Sequence, residues 1–183
     1  MKRLVASIAL FLLPAFAAAK EKRPAMQLTS PAFKNGETIP KKYTGDADDV
    51  SPELDWMGAP GQQKSFALIM DDPDAPPGTW VHWVLYDIPA TATKLPEGTA
   101  KTAKLGDGSR QGACWGVEGK IKFGRTGYWG PEPPPGKPHH YSFRLYALDD
   151  KPALPDNATA AQLEKAMKKH VLAKAELVGI YQR

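Results

Sequence analysis

Four short apolar segments, each bounded by proline, glycine or aspartate, constrain the fold of this chain more than any other feature. They cover residues 65–70, 80–88, 141–148 and 177–181, and their aromatic and β-branched side chains predict β-strands. Residues 26–33 form a weaker fifth candidate. Because few helical segments stand between the strands to serve as crossovers, antiparallel pairing is favoured over parallel pairing.

One helix is predicted late in the chain. Thr159 followed by Gln162 fits a capping box. The apolar residues that follow recur at helical spacing and predict a helix over about residues 160–171; they are Leu163, Ala166, Met167 and Val171. The 18 prolines and 16 glycines are scattered between the apolar segments, which indicates many turns. The expected fold class is mostly β, with one helix near the C-terminus.

The N-terminal residues have the pattern of a secretory signal peptide. Lys2 and Arg3 precede an apolar run over residues 4–13, and three alanines ending at Ala19 supply a small-residue cleavage site. The alternative is a membrane anchor, but the run is short for a span and no cysteine stands at the cleavage site. We therefore expect cleavage after Ala19, a periplasmic or secreted protein, and no stable membrane anchor.

The remaining chain has the length of one domain with a real hydrophobic core. The expected organisation is a signal peptide over residues 1–19, a flexible arm over residues 20–25 and one domain over residues 26–183. Loss of Lys2 and Arg3 leaves 22 basic against 20 acidic residues, so the formal charge falls from +4 to +2. The basic residues form no long run, and nucleic acid is not an expected partner.

Two long segments lack regular periodicity, namely residues 34–63 and 90–138. Segments of this length in a compact domain are usually functional or contain short elements that periodicity does not reveal. Both are therefore candidates for building a site. The single cysteine, Cys114, lies in the second segment and cannot form an internal disulfide, which leaves a buried inert thiol or intermolecular pairing.

Two carboxylates follow directly on the first strong strand. Asp72 and Asp74 are two residues apart, so in an extended backbone their side chains point to the same side. His82 lies inside the next strand, which an adjacent pairing brings close to them. A carboxylate that accepts a hydrogen bond from one imidazole nitrogen leaves the other nitrogen to donate to an anion. The alternatives are a solvated turn for the aspartates and a core position for His82.

A second group of polar residues lies at the start of a later strand. His139 and Tyr141 are two residues apart and can face one side, whereas His140 faces the other. The glycine- and proline-rich loop over residues 127–136 precedes them. Glycine N–H groups in such a loop can form an anion-binding nest, although a plain proline-rich turn has the same composition.

These stretches resemble the phosphatidylethanolamine-binding proteins, and most closely their bacterial Raf-kinase-inhibitor-like branch. The resemblance extends over essentially all of the chain from residue 26 onward. The motifs that carry it are DPDAP at residues 72–76, WVHW at 80–83, GPEPPPG at 130–136 followed by HHY at 139–141, SPELDW at 51–56 and the C-terminal residues 175–183. Residues 114–119 (CWGVEG), in contrast, look like a local insertion beside the expected site.

The resemblance implies a central antiparallel sheet, a second smaller sheet and a C-terminal helical segment. It also implies a small surface cavity that accepts phosphate or a phosphorylated head group. The matching ligand-binding residues are Asp72, Asp74, His82, Gly130, Pro131, His139 and Tyr141, and those at the rim are Trp80, Gly127, Tyr128 and Trp129.

The leading hypothesis for function is an exported, non-enzymatic binding protein for a small anion such as phosphate or phosphoethanolamine, with no metal or cofactor; a regulatory role is an option within it. Two alternatives stay open. One is an exported inhibitor of a protease or other hydrolase, which would present residues 90–119 to an unidentified protein partner. The other is a metal-assisted phosphoester hydrolase built on the two aspartates and two histidines.

Overall fold

The computed structural model describes residues 25–183, so the predicted signal peptide and nearly all of the predicted arm lie outside the described residues. The elements, in chain order, are β1 (Gln27–Thr29), a 3-10 turn (Lys41–Tyr43), β2 (Leu54–Met57), β3 (Ser65–Asp72), β4 (Trp80–Pro89), β5 (Lys94–Leu95), β6 (Arg110–Gln111), β7 (Ala113–Cys114), β8 (Arg125–Thr126), β9 (His139–Leu148), α1 (Ala160–Met167) and β10 (Val171–Tyr181).

The central sheet has five strands in the order β10-β9-β3-β4-β6, and every neighbouring pair is antiparallel. A smaller sheet has the order β1-β2-β5, and β7 and β8 form a separate two-stranded hairpin. The expected fold class, mostly β with a central antiparallel sheet, a smaller sheet and a helix near the C-terminus, is therefore confirmed. The two long aperiodic segments contain the short strands that periodicity could not reveal.

The central strand β3 is apolar along most of its length because both of its faces are covered. All eight of its residues are buried. Alternation sends Phe66, Leu68 and Met70 into the cluster that also contains residues of the smaller sheet. It sends Ala67 and Ile69 into a second cluster, beneath α1. A continuous apolar run is the pattern expected of a strand between two such layers.

The helix begins as predicted but ends earlier. Thr159 accepts a hydrogen bond from the Gln162 N–H and the Gln162 side chain returns one, which completes the capping box. The helix ends at Met167, and the next strand starts at Val171, opposite Leu148 of β9. Val171, assigned to the helical face by its spacing, instead belongs to β10, because pairing with β9 outweighs local helix periodicity. Within residues 25–183 no helix is long and apolar enough to cross a membrane.

Candidate ligand pocket

The ends of three neighbouring strands, β9, β3 and β4, lie side by side at one end of the central sheet and bring four buried polar side chains together. β3 ends at Asp72 opposite Trp80 of β4, and β9 begins at His139 on the other side of β3. The polar floor that results consists of Asp72, His82, His139 and Tyr141, all buried. It lies in a cavity of about 340 Å³. Four residues predicted from the two polar segments thus share one cavity, and Trp80, predicted for the rim, lines it as well.

Asp72 orients His139. The Nδ1–H of His139 donates to Oδ2 of Asp72 at 2.7 Å, and both side chains are almost fully buried. Because a carboxylate only accepts, the proton of that hydrogen bond is on Nδ1. The other Asp72 oxygen, Oδ1, accepts the N–H of Asp74 at 2.8 Å. Nε2 is therefore the ring atom of His139 that remains for a ligand.

His82 is oriented by a backbone carbonyl and not, as predicted, by a carboxylate. Its Nδ1–H donates to the carbonyl oxygen of Trp129 at 2.6 Å. Burial lowers the pKa of His82 from 6.5 to about 4, and the Trp129 carbonyl and the charge of Asp72 oppose that shift only in part. At neutral pH the ring is uncharged, so Nε2 of His82 accepts hydrogen bonds. It becomes a donor only when the ring is protonated, either by a proton that the ligand carries or because an anionic ligand favours the charged ring.

The Tyr141 hydroxyl is a third group of the floor that is left for a ligand, beside Nε2 of His82 and Nε2 of His139. It is buried and has no hydrogen-bond partner among the described residues. Its ring contacts that of His82 edge-on, with centroids 5.2 Å apart. Burial and the nearby Asp72 carboxylate raise the pKa of Tyr141 well above 10, so the hydroxyl keeps its proton. It can donate a hydrogen bond to a ligand oxygen.

The prediction that Asp74 shares the pocket with Asp72 is wrong. The two side chains were expected on one side of an extended segment, but the chain turns after Asp72, where Asp72 accepts the Asp74 N–H. Asp74 instead accepts hydrogen bonds from the backbone N–H and the Nδ1–H of His140, at 2.9 and 2.8 Å. This second aspartate–histidine pair is exposed and lies outside the cavity lining.

The glycine-rich loop serves packing more than ligand contact. The Gly130 N–H donates to Oδ1 of Asp49 at 2.6 Å, and the Pro131 carbonyl accepts the Gly45 N–H at 2.9 Å. The predicted anion nest therefore lacks the Gly130 N–H. Neither Gly130 nor Pro131 is part of the cavity lining, whereas Pro133 and Pro134 of the same loop are.

Three of the residues predicted for the rim lie elsewhere. Tyr128 is fully buried, donates its hydroxyl to the Tyr43 carbonyl at 2.6 Å and packs against Trp83, so it belongs to the core. Gly127, with φ of 86°, packs against the backbone of Lys101. The Trp129 carbonyl accepts the hydrogen bond from His82, and the Trp129 indole contacts that of Trp115, with centroids 6.2 Å apart, but is not part of the cavity lining. Backbone contacts from distant segments, which local spacing cannot reveal, determine these positions.

One wall of the pocket is formed by a residue outside the sequence motifs. Trp115, in the connection between β7 and β8, lines the cavity and meets the Trp80 ring at 88° with centroids 5.6 Å apart. Its φ of 63° is rare for a tryptophan. Trp115 lies in residues 114–119, which look like an insertion beside the expected site, and that position was the sequence signal that could have placed it at the pocket. The rest of the lining comes from two short segments, Ala75, Pro76 and Pro77 in one and Glu132, Pro133 and Pro134 in the other.

Neither the cysteine nor a metal-binding cluster contributes a reactive group to the described part of the chain. Cys114 is buried, its S–H donates to the Gly127 carbonyl at 3.1 Å, and burial raises the pKa of the thiol to about 12. It is thus the inert buried thiol of the two alternatives. Among residues 25–183 no three histidine, cysteine, aspartate or glutamate side chains are arranged to hold a metal ion.

Comparison with known proteins identifies the family. A family profile described as phosphatidylethanolamine-binding protein matches residues 29–182. The chain is 45% identical over 158 residues to a UPF0098 protein of Methanothermobacter thermautotrophicus, covering 86% of this chain and 99% of that protein. It is 44% identical over 160 residues to a UPF0098 protein of Aquifex aeolicus, with 86% and 89% covered.

Two solved structures have the same fold. A phosphatidylethanolamine-binding protein homologue from Chlamydia trachomatis, CT736, superposes with a TM-score of 0.75 at 38% identity, covering 87% of this chain and 98% of that one. E. coli YbcL, described as a member of the mammalian family, superposes with a TM-score of 0.77 at 35% identity, covering 87% and 99%. The chain belongs to the phosphatidylethanolamine-binding protein family.

Proposed function

We propose that this chain is an exported, non-enzymatic binding protein whose pocket takes a small anion of the phosphate type. The observation that carries the proposal is the buried Tyr141 hydroxyl, which lines the cavity and has no hydrogen-bond partner among the described residues. Since buried polar groups are usually hydrogen-bonded, a ligand oxygen is the partner we propose for it. Two imidazoles share the cavity with it, each with Nδ1 already engaged. Nε2 of His82, Nε2 of His139 and the hydroxyl are then the groups that meet the ligand.

The electrostatics of the floor favour a ligand that brings a proton or attracts one. A partly protonated phosphate can donate its P–O–H to Nε2 of neutral His82 and accept from the Tyr141 hydroxyl. A more highly charged phosphate favours protonation of His82, since a nearby opposite charge stabilises the imidazolium. In both cases Asp72 acts from behind His139 and does not meet the anion.

A Tyr141→Phe variant separates a ligand-binding hydroxyl from a structural one. We expect its free energy of unfolding to stay the same or rise by up to about 1 kcal/mol, because an unsatisfied buried hydroxyl is removed. We expect its affinity for inorganic phosphate, measured by titration calorimetry, to fall about tenfold, the loss of one hydrogen bond to a charged group.

Tyr86→Phe is the matched control. The Tyr86 side chain is buried too, but its hydroxyl donates to the Pro155 carbonyl at 3.0 Å, and neither residue is part of the cavity lining. This variant should lose about 1 kcal/mol of stability and keep the wild-type phosphate affinity. Phosphate binding that is the same in the wild type and in Tyr141→Phe would remove the main support for the proposal.

Export is the part of the proposal that rests on residues 1–19 alone. Expression of the full chain in a Gram-negative host should yield a periplasmic product whose mass corresponds to a chain beginning at Lys20. A cytoplasmic product that keeps residues 1–19 would contradict export without touching the pocket.

A further inference from the structure

The peptide group between Trp129 and Gly130 is hydrogen-bonded at both of its polar atoms. Its carbonyl oxygen accepts the Nδ1–H of His82 at 2.6 Å. Its N–H, which belongs to Gly130, donates to Oδ1 of Asp49, also at 2.6 Å. Asp49, one peptide group and His82 therefore form a continuous chain of hydrogen bonds, although Asp49 itself is not part of the cavity lining.

This chain gives His82 an indirect counterpart of the contact between Asp72 and His139. His139 donates its Nδ1–H directly to a carboxylate. His82 donates to a peptide group whose N–H is in turn bound by a carboxylate. Because successive hydrogen bonds polarise one another, the charge of Asp49 makes the peptide carbonyl a stronger acceptor. A stronger acceptor holds the proton on Nδ1 and makes Nε2, the atom left for a ligand, more basic.

Asp49 is held in place through both of its carboxylate oxygens. Oδ2 pairs with Nζ of Lys101 at 2.5 Å, and the same ammonium group lies 3.8 Å from the ring centroid of Trp129. The Arg125 guanidinium lies against that ring as well, at 3.9 Å. The backbone of Asp49 has a φ of 53°, in the left-handed region that aspartate and asparagine tolerate better than most residues. The carboxylate is thus fixed against the peptide group, and Lys101 offsets part of its charge.

The charge of Asp49 also acts on His82 directly. Burial lowers the pKa of His82, and the charges of Asp72 on β3 and of Asp49 oppose that shift. The rings of Tyr141 on β9 and of Trp115 meet the imidazole edge-on, with centroids 5.2 and 5.5 Å away, and both are uncharged at neutral pH. Two carboxylates therefore favour protonation of the ring, and only that of Asp72 lines the cavity.

We infer that Asp49 is a positioning residue of the ligand pocket, which acts through the Trp129–Gly130 peptide group to make Nε2 of His82 a better partner for a ligand that carries or attracts a proton. The inference rests on the proposed function, because it takes His82 to be one of the groups that meet the anion. It also gives a role in the site to residues 34–63, the first of the two long segments without regular periodicity, since Asp49 lies in that segment.

Asp49→Asn removes the charge and keeps an oxygen that can accept the Gly130 N–H. Asparagine also tolerates the φ of 53°, so the loop should keep its conformation. We expect the affinity for inorganic phosphate, measured by titration calorimetry at neutral pH, to fall by about threefold to tenfold, because a charge-assisted hydrogen bond becomes a neutral one and the ring is protonated less readily. The pKa of His82, followed by NMR titration with and without phosphate, should fall as well.

Lys101→Met separates the charge of Asp49 from the general integrity of the loop. Methionine keeps the Cβ and Cγ that lie beside Gly127 and removes the cation that offsets Asp49. The pKa of His82 should therefore rise in this variant, in the direction opposite to that in Asp49→Asn. A pKa that falls or stays unchanged in Lys101→Met would contradict control of His82 by the charge of Asp49.

Asp87→Asn is the matched control for Asp49→Asn. Asp87 has a φ of 58°, is partly buried and pairs with a cation, Arg110, at 3.7 Å, but it is not part of the cavity lining. Its replacement should keep the wild-type phosphate affinity and the wild-type pKa of His82. Wild-type affinity or a wild-type pKa of His82 in Asp49→Asn, or equal losses in the two variants, would overturn the inference. Failure of the wild type to bind phosphate would instead overturn the proposed function, while a lower pKa of His82 in ligand-free Asp49→Asn would still show that Asp49 acts on the ring.

Discussion

We expect the Gly130→Ala variant to lose about 3 kcal/mol of its free energy of unfolding and most of its phosphate affinity. A Cβ at this position would lie 2.3 Å from the Tyr43 carbonyl oxygen and 2.8 Å from Cα of Thr44. Both neighbours are backbone atoms, which cannot rotate away, so the loop must shift at a cost typical of overpacking. The shift would also disturb the 2.6 Å hydrogen bond from Gly130 to Asp49, an additional loss with a charged acceptor.

The effect on binding follows from the neighbour of Gly130. Trp129 supplies the carbonyl that orients His82, so displacement of the loop disturbs one ligand-facing imidazole. Gly124→Ala is the control, because a Cβ there meets nothing within 4 Å. Chemical denaturation should find Gly124→Ala within about 0.5 kcal/mol of the wild type. Equal stability of the two alanine variants would show that the loop does not need the glycine.

The second large effect is a loss of stability on acidification. Burial lowers the pKa of His82 to about 4 in the folded protein, against 6.5 for an exposed histidine. Between these values the unfolded chain binds more protons than the folded one, so stability falls as the pH falls from about 6.5 to 4 and this contribution levels off below. The shift corresponds to a loss of about 3 kcal/mol between neutral pH and pH 4.

The measurement is the free energy of unfolding at pH 7 and at pH 4 for the wild type and for His82→Gln. The difference between the two pH values should be smaller by about 3 kcal/mol in His82→Gln. Phosphate should reduce the acid loss in the wild type, because the bound anion stabilises the protonated ring. The same pH dependence in His82→Gln and wild type would contradict the burial argument.

The four long strands of the central sheet could be predicted because the pattern of their side chains reflects burial directly. The four segments predicted from residues 65–70, 80–88, 141–148 and 177–181 correspond to β3, β4, β9 and β10, each extended by one or more residues. The extension was largest for β10, whose first residues, Val171 and Leu172, are apolar but exposed and do not alternate with polar residues. Pairing with β9, which no local pattern encodes, defines that part of the strand.

The polar floor could be predicted in part for the same reason. Alternation along β9 puts His139 and Tyr141 on one face, and β4 carries His82 beside the end of β3. The position of Asp74 could not be predicted, because residues two apart face the same side only in an extended backbone, and the backbone turns after Asp72. A turn in which the Asp72 side chain accepts the Asp74 N–H is signalled in the sequence only by Asp and Pro, which also occur at strand ends.

The walls of the pocket depend on contacts between distant segments. Trp115 reaches the cavity because a short hairpin places it beside Trp80, 35 positions earlier in the sequence. Its strands have two residues each, too few for alternation to appear. The sequence could not show that Tyr128 is a core residue and not a rim residue, because its hydroxyl is bonded to the Tyr43 carbonyl of another loop. Local pattern thus predicted the scaffold and floor, and tertiary contact determined the walls.

The adjacent histidines offer the most direct test of the phosphate pocket. His139 and His140 each donate from Nδ1 to an aspartate, at 2.7 and 2.8 Å, but only His139 lines the cavity. Asparagine at either position keeps a donor near the place of Nδ1 and removes Nε2. The measurement is the phosphate affinity of wild type, His139→Asn and His140→Asn by titration calorimetry. If phosphate binds in the pocket, its affinity falls about tenfold or more in His139→Asn and changes by less than about twofold in His140→Asn. Wild-type affinity in His139→Asn, or an equal loss in both variants, would contradict binding in the pocket.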